Sequence, residues 1–365
     1  MEKLFISPSK YVQGKGCLKD SSKYIEELGN RVLILTDEFV WGMIGEGYKN
    51  YLTEGGLLVG TAVFSGEVSE ENIQELLKGI ADKEIEVVIA LGGGKVIDLG
   101  KAVAAKQNLK MVVLPTTAST DAPTSSISVL YEEDGRFKEY QFYRKNPDLV
   151  IVDTEVIVNA PARLLAAGIA DGLSTAVEAR AVKKKHGENV LGKKPTLTAL
   201  AIAEKCEEVL FTYGLQAYED NKNKQVTEAF EAVVEANTLM SGLGFESGGL
   251  AAAHALHNGF SAIQGKVNQL MHGEKIAYTT LVQLVLEKQP EEVLKRYLVF
   301  FRQLNLPTTC EALGLDVQNE KELSKIAEQS LSIGDSLRQM PFTLTKEDIV
   351  QGIRQLDAFV RSCSV

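Results

Sequence analysis

Short apolar runs alternate with amphipathic segments along roughly the first 160 residues of this 365-residue chain. Runs of this length, bounded by turn signals, predict buried strands. Because predicted strands and helices alternate, the pattern is typical of a parallel sheet covered by helices on both faces. The predicted strands span residues 31–37, 61–64, 86–91, 110–115 and 149–153, with one helix predicted to end near residue 52 and another to begin at residue 69.

Two segments interrupt this alternation. Residues 127–131 and 138–142 flank the dipeptide Asp134-Gly135, which is a signal for a β-hairpin. Residues 14–18 contain a G-x-G pattern, but the third glycine of a dinucleotide fingerprint is missing and no apolar strand is predicted before it. We therefore interpret residues 14–18 as a turn at the start of a helix.

The pattern changes near residue 160. Asn159-Ala160-Pro161 is a capping residue followed by a proline, a typical helix start, and apolar residues then recur with a period of 3.6. We predict two domains, a Rossmann-like dinucleotide-binding α/β domain at 1–160 and an all-helical metal-binding domain at 161–365, with the active site in the cleft between them. The predicted helices lie near 162–184, 196–213, 223–242, 248–263, 273–288, 290–304, 320–332 and 346–360.

A glycine-rich turn follows the predicted strand 86–91. Gly92, Gly93 and Gly94 let backbone amides approach an anion, and the positive end of the next helix points at the same place. This pattern favours a pyrophosphate cradle, although a simple strand-to-helix turn needs only one glycine. Asp37, at the end of the strand 31–37, is a candidate ribose contact or a cap of the next helix.

A polar loop follows the strand 110–115. Hydroxyl groups at the carboxyl end of a strand are suitable donors to phosphate and nicotinamide amide groups, and Asp121 is a lone carboxylate among them. A polar loop without a functional role is the alternative. The candidate cofactor contacts are Thr116, Thr117, Ser119 and Ser125.

Three of the four histidines lie between residues 254 and 272, in apolar surroundings that predict burial. For any single histidine, a core imidazole with a satisfied hydrogen bond is the better interpretation. Asp171 lies in another apolar helical run and changes this picture. Three protein ligands and one open position are what a catalytic divalent metal such as zinc requires.

The charge of the chain limits the possible partners. A net charge of −10 and an isoelectric point near 5.2 argue against nucleic acid and anionic membranes as partners, and favour a small-molecule substrate. The sequence has no apparent signal peptide or long apolar stretch, which predicts a cytoplasmic protein. The four cysteines have no C-x-x-C spacing and are expected to be reduced thiols.

Five segments together resemble the glycerol dehydrogenases of the iron-containing alcohol dehydrogenase and dehydroquinate synthase superfamily. They are GGGKVID at 92–98, TTASTDAP at 116–123, GIADGLST at 168–175, GGLAAAHALHNG at 248–259 and HGEK at 272–275. The resemblance implies that Asp171, His254 and His272 bind the metal and that Asp121 contacts the substrate. It also implies cofactor contacts from Asp37, Gly94, Lys95, Asp98, Thr116, Ser119, Ser125, Ile127 and Tyr131.

The resemblance implies NAD- and zinc-dependent oxidation of glycerol to dihydroxyacetone, or of related vicinal diols, by hydride transfer from a metal-bound alkoxide. A homo-oligomer is also expected. Many iron-type relatives have a further histidine ligand where this chain has Thr175, which favours one zinc ion per chain over iron. His257 is expected to support the site, to face the substrate or to pack in the core.

Three alternatives are weaker. A glycerol-1-phosphate dehydrogenase would need cationic residues for the phosphate and typically differs at 119–123. A dehydroquinate synthase-like lyase would carry a V-D-S-S-V-G-G-K stretch, which is absent. A non-enzymatic sugar- or nucleotide-binding protein would not need the metal-binding residues.

Overall fold

A six-stranded parallel sheet forms the centre of the amino-terminal part of the protein. The computed structural model describes residues 2–132, 135–332 and 336–363. The strands of this sheet are β1 (Tyr11–Gly14), β2 (Arg31–Asp37), β3 (Leu58–Phe64), β4 (Val87–Gly92) and β5 (Lys110–Pro115), together with β8 (Leu149–Asp153), which follows the hairpin strands β6 (Ile127–Tyr131) and β7 (Phe137–Phe142). They lie in the order β1-β8-β5-β4-β2-β3, and all neighbouring strands are parallel.

The central strands are apolar because both faces of the sheet are covered. Val88 and Ala90 of β4 pack into the larger core on one face, whereas Val87 and Ile89 pack into a second core on the other. Such two-sided burial explains why this strand reads as an uninterrupted apolar run instead of an alternating one. The predicted α/β sheet is therefore confirmed.

Long helices make up the carboxyl-terminal part, as predicted. In the described part of 162–363 no strand forms, and Lys194 makes only an isolated bridge with Lys3. The helices of the described chain are α1 (Ser22–Glu26), α2 (Glu38–Val40), α3 (Glu46–Glu54), α4 (Glu70–Ile80), α5 (Gly94–Gln107), α6 (Thr154–Ile157), α7 (Ala162–Lys185), α8 (Leu197–Lys222), α9 (Glu228–Glu235), α10 (Ser241–Gly248), α11 (Ala252–Gly259), α12 (His272–Leu286), α13 (Glu291–Gln303), α14 (Glu320–Ser332) and α15 (Lys346–Ser362).

The chain reverses its direction of travel across the sheet between β2 and β4. From β2 the chain continues outward to the edge strand β3, and from β4 it continues the other way through β5. Ligands of open parallel sheets bind outside the carboxyl ends of the strands at such a switch point. Asp37 and Gly92 end these two strands, so the two predicted cofactor elements lie on either side of the same crevice.

Two local predictions are corrected by the structure, and part of a third lies outside the described residues. A short strand, β1, precedes the G-x-G segment, and it was missed because all four of its residues are only half-buried. The helix predicted at 223–242 is interrupted by a π-helical turn, Ala236–Met240, between α9 and α10. The predicted hairpin forms as β6 and β7, but Asp134 of its turn lies outside the described residues.

Two further observations concern the chain as a whole. None of the helices in the described residues is both long and apolar enough to cross a membrane. Cys17, Cys206, Cys310 and Cys363 are all free thiols, which agrees with the prediction from their spacing.

Candidate active site

Asp171, His254 and His272 come together in space although they are far apart in the sequence. One ligand atom from each lies within 4.8 Å of the other two. The Nε2 atom of His272 is 3.1 Å from Oδ1 of Asp171, and Nε2 of His254 is 3.7 Å from the same oxygen. The predicted ligand set is therefore a real cluster of donor atoms.

Asp171 reaches this cluster because its helix packs unusually close to the loop after β5. A Cβ atom on Gly168 would lie only 2.0 Å from the carbonyl oxygen of Ala118. Asn237, in the π-helical turn, donates to the same carbonyl oxygen at 2.9 Å. The small residues around Asp171 thus place α7 directly beneath the polar loop.

His272 is the first residue of α12, and Glu274 holds it there. The Glu274 carboxylate accepts a hydrogen bond from the backbone amide of Met271 at 2.9 Å, which caps the helix. It also accepts two hydrogen bonds from Arg163 of α7, at 2.5 and 2.7 Å. The HGEK segment therefore ties the helix that carries His272 to the helix that carries Asp171.

Glu178 is a functional candidate that the sequence analysis missed. Its side chain is fully buried, and its Oε2 lies 2.6 Å from Nδ1 of His254. Its Oε1 accepts hydrogen bonds from the backbone amides of Ala251, at 2.8 Å, and of His254, at 3.0 Å. This geometry keeps a proton on Nδ1 of His254 and leaves Nε2, the nitrogen that faces Asp171, as the atom that could bind a metal ion.

The charges in this buried site favour a cation. Burial of the His254 ring lowers its pKa, but the charges of Glu178, Asp171 and Asp121 outweigh this and raise the pKa to about 9. Burial alone would raise the pKa of Asp171, yet the rings of His272 and His254 hold it below its usual value. Carboxylates that stabilise a positive charge on an imidazole would also stabilise a divalent ion.

One carboxylate oxygen of Asp171 has no partner among the described residues. Its Oδ2 atom is buried and accepts no hydrogen bond from them. A buried carboxylate oxygen without a partner is costly unless a bound ion or water satisfies it. Two imidazole nitrogens and a carboxylate oxygen are also donors that suit zinc. The residues of this site therefore fit a divalent metal ion.

A chain of hydrogen bonds continues from His272 away from the cluster. Its Nδ1 lies 3.1 Å from Nε2 of His257, and Nδ1 of His257 lies 3.1 Å from Oδ1 of Asn258. Asn258 in turn donates to the hydroxyl group of Tyr140, on β7, at 2.9 Å. Burial and the neighbouring His272 ring lower the pKa of His257 well below its usual value, so His257 is a neutral acceptor.

Asp121 lies beside the cluster, within the polar loop. Ser241 of α10 donates to its Oδ2 at 3.1 Å. Burial and the charge of Asp171 raise the pKa of Asp121 well above its usual range. A divalent ion held by Asp171, His254 and His272 would add positive charge near Asp121 and lower that pKa again.

The glycine turn leaves room at the amino end of α5. A Cβ atom on Gly93 would meet no atom within 4 Å, and one on Gly94 would meet only Thr120, at 3.7 Å. Gly92 is different, because a Cβ there would clash with Val96 at 2.9 Å. The open space in front of the helix end agrees with the predicted pyrophosphate cradle, whose role stays a prediction.

A groove beside the cradle contains two more predicted cofactor contacts. Its lining includes Asp37, Phe39, Phe64 and Lys95. Oδ1 of Asp37 accepts from the amide of Val40 at 2.8 Å, which caps the following helix. The cap and a ribose contact are compatible, because a carboxylate has a second oxygen.

The predicted contacts outside the glycine turn and Asp37 lie on α5, on the polar loop and on β6. Lys95, which also lines the groove, is exposed and forms a 2.6 Å ion pair with Glu67. Asp98 is buried, and its Oδ2 accepts from the amide of Val129 at 3.1 Å. The others are Thr116 (buried), Thr117 and Ser119 (hydroxyl groups 3.1 Å apart), Ser125 and Ile127 (buried) and Tyr131 (half-buried).

The chain is similar to known proteins over nearly its whole length. Residues 8–154 match the family model for iron-containing alcohol dehydrogenases. A glycerol dehydrogenase from Thermotoga maritima is 41% identical over 357 residues, which are 98% of this chain and 97% of that protein. A glycolaldehyde reductase from Halobacterium salinarum is 43% identical over 345 residues, or 94% of each chain.

The fold is shared as well. The crystal structure of a glycerol dehydrogenase from Schizosaccharomyces pombe superposes with a TM-score of 0.95 at 42% identity, and the match covers 99% of this chain and 91% of that one. Sequence and fold therefore agree with these enzymes from one end of the chain almost to the other.

Proposed function

The chain belongs to the iron-containing alcohol dehydrogenase family and is an oxidoreductase; from this premise we propose that it oxidises glycerol to dihydroxyacetone with NAD as hydride acceptor and zinc as metal. The observation that carries the proposal is the group of Asp171, His254 and His272, of which the first two are buried, with Asp121 beside it. Related vicinal diols would bind in the same way. The cleft between a dinucleotide-binding domain at 1–160 and a metal-binding domain at 161–365 would contain this site.

Each residue has a distinct task in this proposal. Asp171, His254 and His272 would hold the ion, and Glu178 would keep Nε2 of His254 unprotonated. The bound ion supplies Lewis acidity, which lowers the pKa of a coordinating hydroxyl group by several units. The cradle at 92–94 would bind the pyrophosphate.

Asp121 would select polyols over simple alcohols. Its carboxylate can accept a hydrogen bond from the second hydroxyl group of a vicinal diol. A site built to bond a substrate hydroxyl disfavours analogues that lack it, because its own polar group is then left unpaired. The loss of one charge-assisted hydrogen bond is worth about 1.5–3 kcal/mol, or roughly 10- to 150-fold.

Zinc is favoured over iron by the environment of Thr175. The resemblance places a fourth, histidine ligand at this position in many iron-type relatives. Here the Thr175 hydroxyl lies 2.9 Å from the hydroxyl of Ser241, which itself donates to Asp121. Thr175 therefore supports the substrate-side carboxylate, and three protein ligands leave the open position typical of catalytic zinc.

A substrate panel tests the proposal. Purified protein with added zinc, glycerol and NAD should form NADH at 340 nm in equal amount to dihydroxyacetone, and NADP should be a poorer acceptor. Asp121→Ala should lower kcat/KM for glycerol roughly 10- to 150-fold more than for propan-2-ol. Equal losses on both alcohols would remove Asp121 from its proposed role.

The panel should also contain glycolaldehyde with NADH, because one similar protein is a glycolaldehyde reductase. A higher kcat/KM for that reduction than for glycerol oxidation would overturn the substrate assignment while leaving the hydride chemistry intact. A cytoplasmic location and a homo-oligomer belong to the same proposal, and light scattering of the purified protein would measure its mass.

A further inference from the structure

The loop between Asp121 and Ile127 joins the proposed polyol contact to the proposed nicotinamide contacts. A buried lysine of α5, Lys101, holds one side of this loop. Its ammonium group donates to the carbonyl oxygens of Ala122, at 2.6 Å, and Ile127, at 2.8 Å, and to the hydroxyl of Ser125, at 3.1 Å. One cation thus binds the loop at both of its ends.

A buried glutamate of α10, Glu246, holds the other side. Its Oε1 accepts from the backbone amide and the hydroxyl of Ser126, at 2.6 and 2.7 Å. Its Oε2 accepts from Asn146 at 2.6 Å, and the same Asn146 amide donates to the carbonyl oxygen of Thr124 at 2.8 Å. Glu246 therefore holds Ser126 directly and Thr124 through Asn146, two residues that Lys101 does not contact, and it does so from the helical part of the protein.

This arrangement is costly for the fold. The Lys101 side chain is 3% exposed and the nearest carboxylate, on Asp98, is 3.9 Å away. Glu246 is fully buried. Well-packed apolar side chains often replace buried ions without loss of stability, so the retention of both charges needs a reason other than stability. The groups that they hold belong to one loop, which suggests that the shape of this loop is the reason.

We propose that Lys101 and Glu246 are positioning residues that clamp the 121–127 loop from opposite sides and fix the distance between the polyol and the nicotinamide subsites. The identity of the two ligands rests on the proposed function, but the clamp itself does not. Neither residue touches the cluster of metal ligands, so the clamp should act on both substrates and not on metal binding.

The variants Lys101→Met and Glu246→Leu test the clamp. Each removes charge-assisted hydrogen bonds while keeping an apolar side chain of similar length. We expect kcat/KM for glycerol to fall and the Kd of NADH to rise, each at least tenfold, which is the effect of losing one such bond. Bound zinc should remain at one equivalent. Glu246→Gln keeps an acceptor for Ser126 and should recover much of the loss.

Lys106→Met is the matched control, because Lys106 lies on the same helix and forms a 2.7 Å ion pair with Glu70 near the surface, away from the loop. This control variant should keep kcat/KM for glycerol and the Kd of NADH within about twofold of the wild-type values. Amide hydrogen exchange of peptides covering 120–128, measured without substrate at a temperature where all variants are folded, should accelerate in Lys101→Met and Glu246→Leu only.

Two results would overturn the clamp. One is a lower Tm in both variants with unchanged kinetics and exchange, because that pattern indicates a purely structural role. The other is loss of zinc in parallel with activity. An inactive wild type would instead contradict the proposed function, and the exchange experiment would still decide on the clamp.

Discussion

Replacing Glu178 by glutamine isolates what its carboxylate contributes to metal binding. The shape of the side chain is kept, but one oxygen becomes an NH2 group. If the glutamine carbonyl faces the backbone amides of Ala251 and His254, the NH2 group points at Nδ1 of His254. That ring must then carry its proton on Nε2, the atom directed toward Asp171. The opposite orientation places NH2 against two backbone donors instead.

Either orientation loses one charge-assisted hydrogen bond, which is worth about 1.5–3 kcal/mol. That free energy corresponds to roughly 10- to 150-fold in an equilibrium constant, and loss of an outer partner of a metal-binding histidine usually lowers metal affinity about 10- to 100-fold. We therefore expect the Kd of Glu178→Gln for zinc to rise 10- to 100-fold. Competition against a chromophoric chelator at fixed pH measures this ratio directly.

Glu207→Gln is the matched control. Glu207 is a largely buried carboxylate that accepts two hydrogen bonds from Arg180, at 2.7 and 2.8 Å, and has no contact with the cluster. Loss of the Glu207 charge should lower Tm, because the ion pair with Arg180 is weakened, and should leave the Kd for zinc unchanged. A zinc Kd of Glu178→Gln within threefold of the wild type would refute the reasoning, and so would an equal rise in both variants.

The other predictions concern the ligands, the coenzyme and the packing of α7. His254→Ala should retain less than a tenth of an equivalent of zinc by elemental analysis, because one of only three protein ligands is lost. The wild type should prefer NAD to NADP in kcat/KM, and Asp37→Ser should reduce that preference, because the carboxylate repels a 2′-phosphate. Gly168→Ala should lower the free energy of unfolding by about 1–3 kcal/mol through overpacking against Ala118, whereas Gly79→Ala, at an open helical position, should be neutral or stabilising.

Each of these predictions has a contradicting result. A full equivalent of zinc in His254→Ala would remove that residue from the ligand set. Equal use of NAD and NADP by the wild type would remove the ribose role of Asp37. If Gly168→Ala were as stable as Gly79→Ala, the close approach of α7 to the loop would not be needed for folding.

The central sheet could be predicted because burial on both faces makes a strand apolar at every position. β4 and β5 satisfy this condition, and both were predicted to within one residue of their ends. The edge strand β1 is half-buried along its length and contains Gln13 and Gly14, so its composition carries no comparable signal. The π-helical turn at Ala236–Met240 was equally invisible, because it continues the helical period with only one extra residue per turn.

The metal ligands could be proposed because imidazole and carboxylate groups in apolar runs need a partner wherever they lie. The residues that hold these ligands and the polar loop in place could not be proposed in the same way. Glu178 lies seven residues after Asp171, a spacing that places both on one face of α7, but the same spacing is common on solvated helices. Lys101 and Glu246 also resemble surface charges in the sequence, and only the fold shows that both are buried against one loop.

α7 contributes both to the proposed metal site and to the placement of the polar loop. It carries Asp171, a proposed metal ligand, Glu178, which contacts His254, and Gly168, which lies against the loop that contains Asp121. Because protein interiors are close-packed and poorly compressible, a shift of α7 along its axis would move Asp171 and the start of the polar loop together. The position of Asp121 relative to the proposed nicotinamide contacts then depends on the 121–127 segment. That segment is the one that Lys101 and Glu246 hold in the proposed clamp.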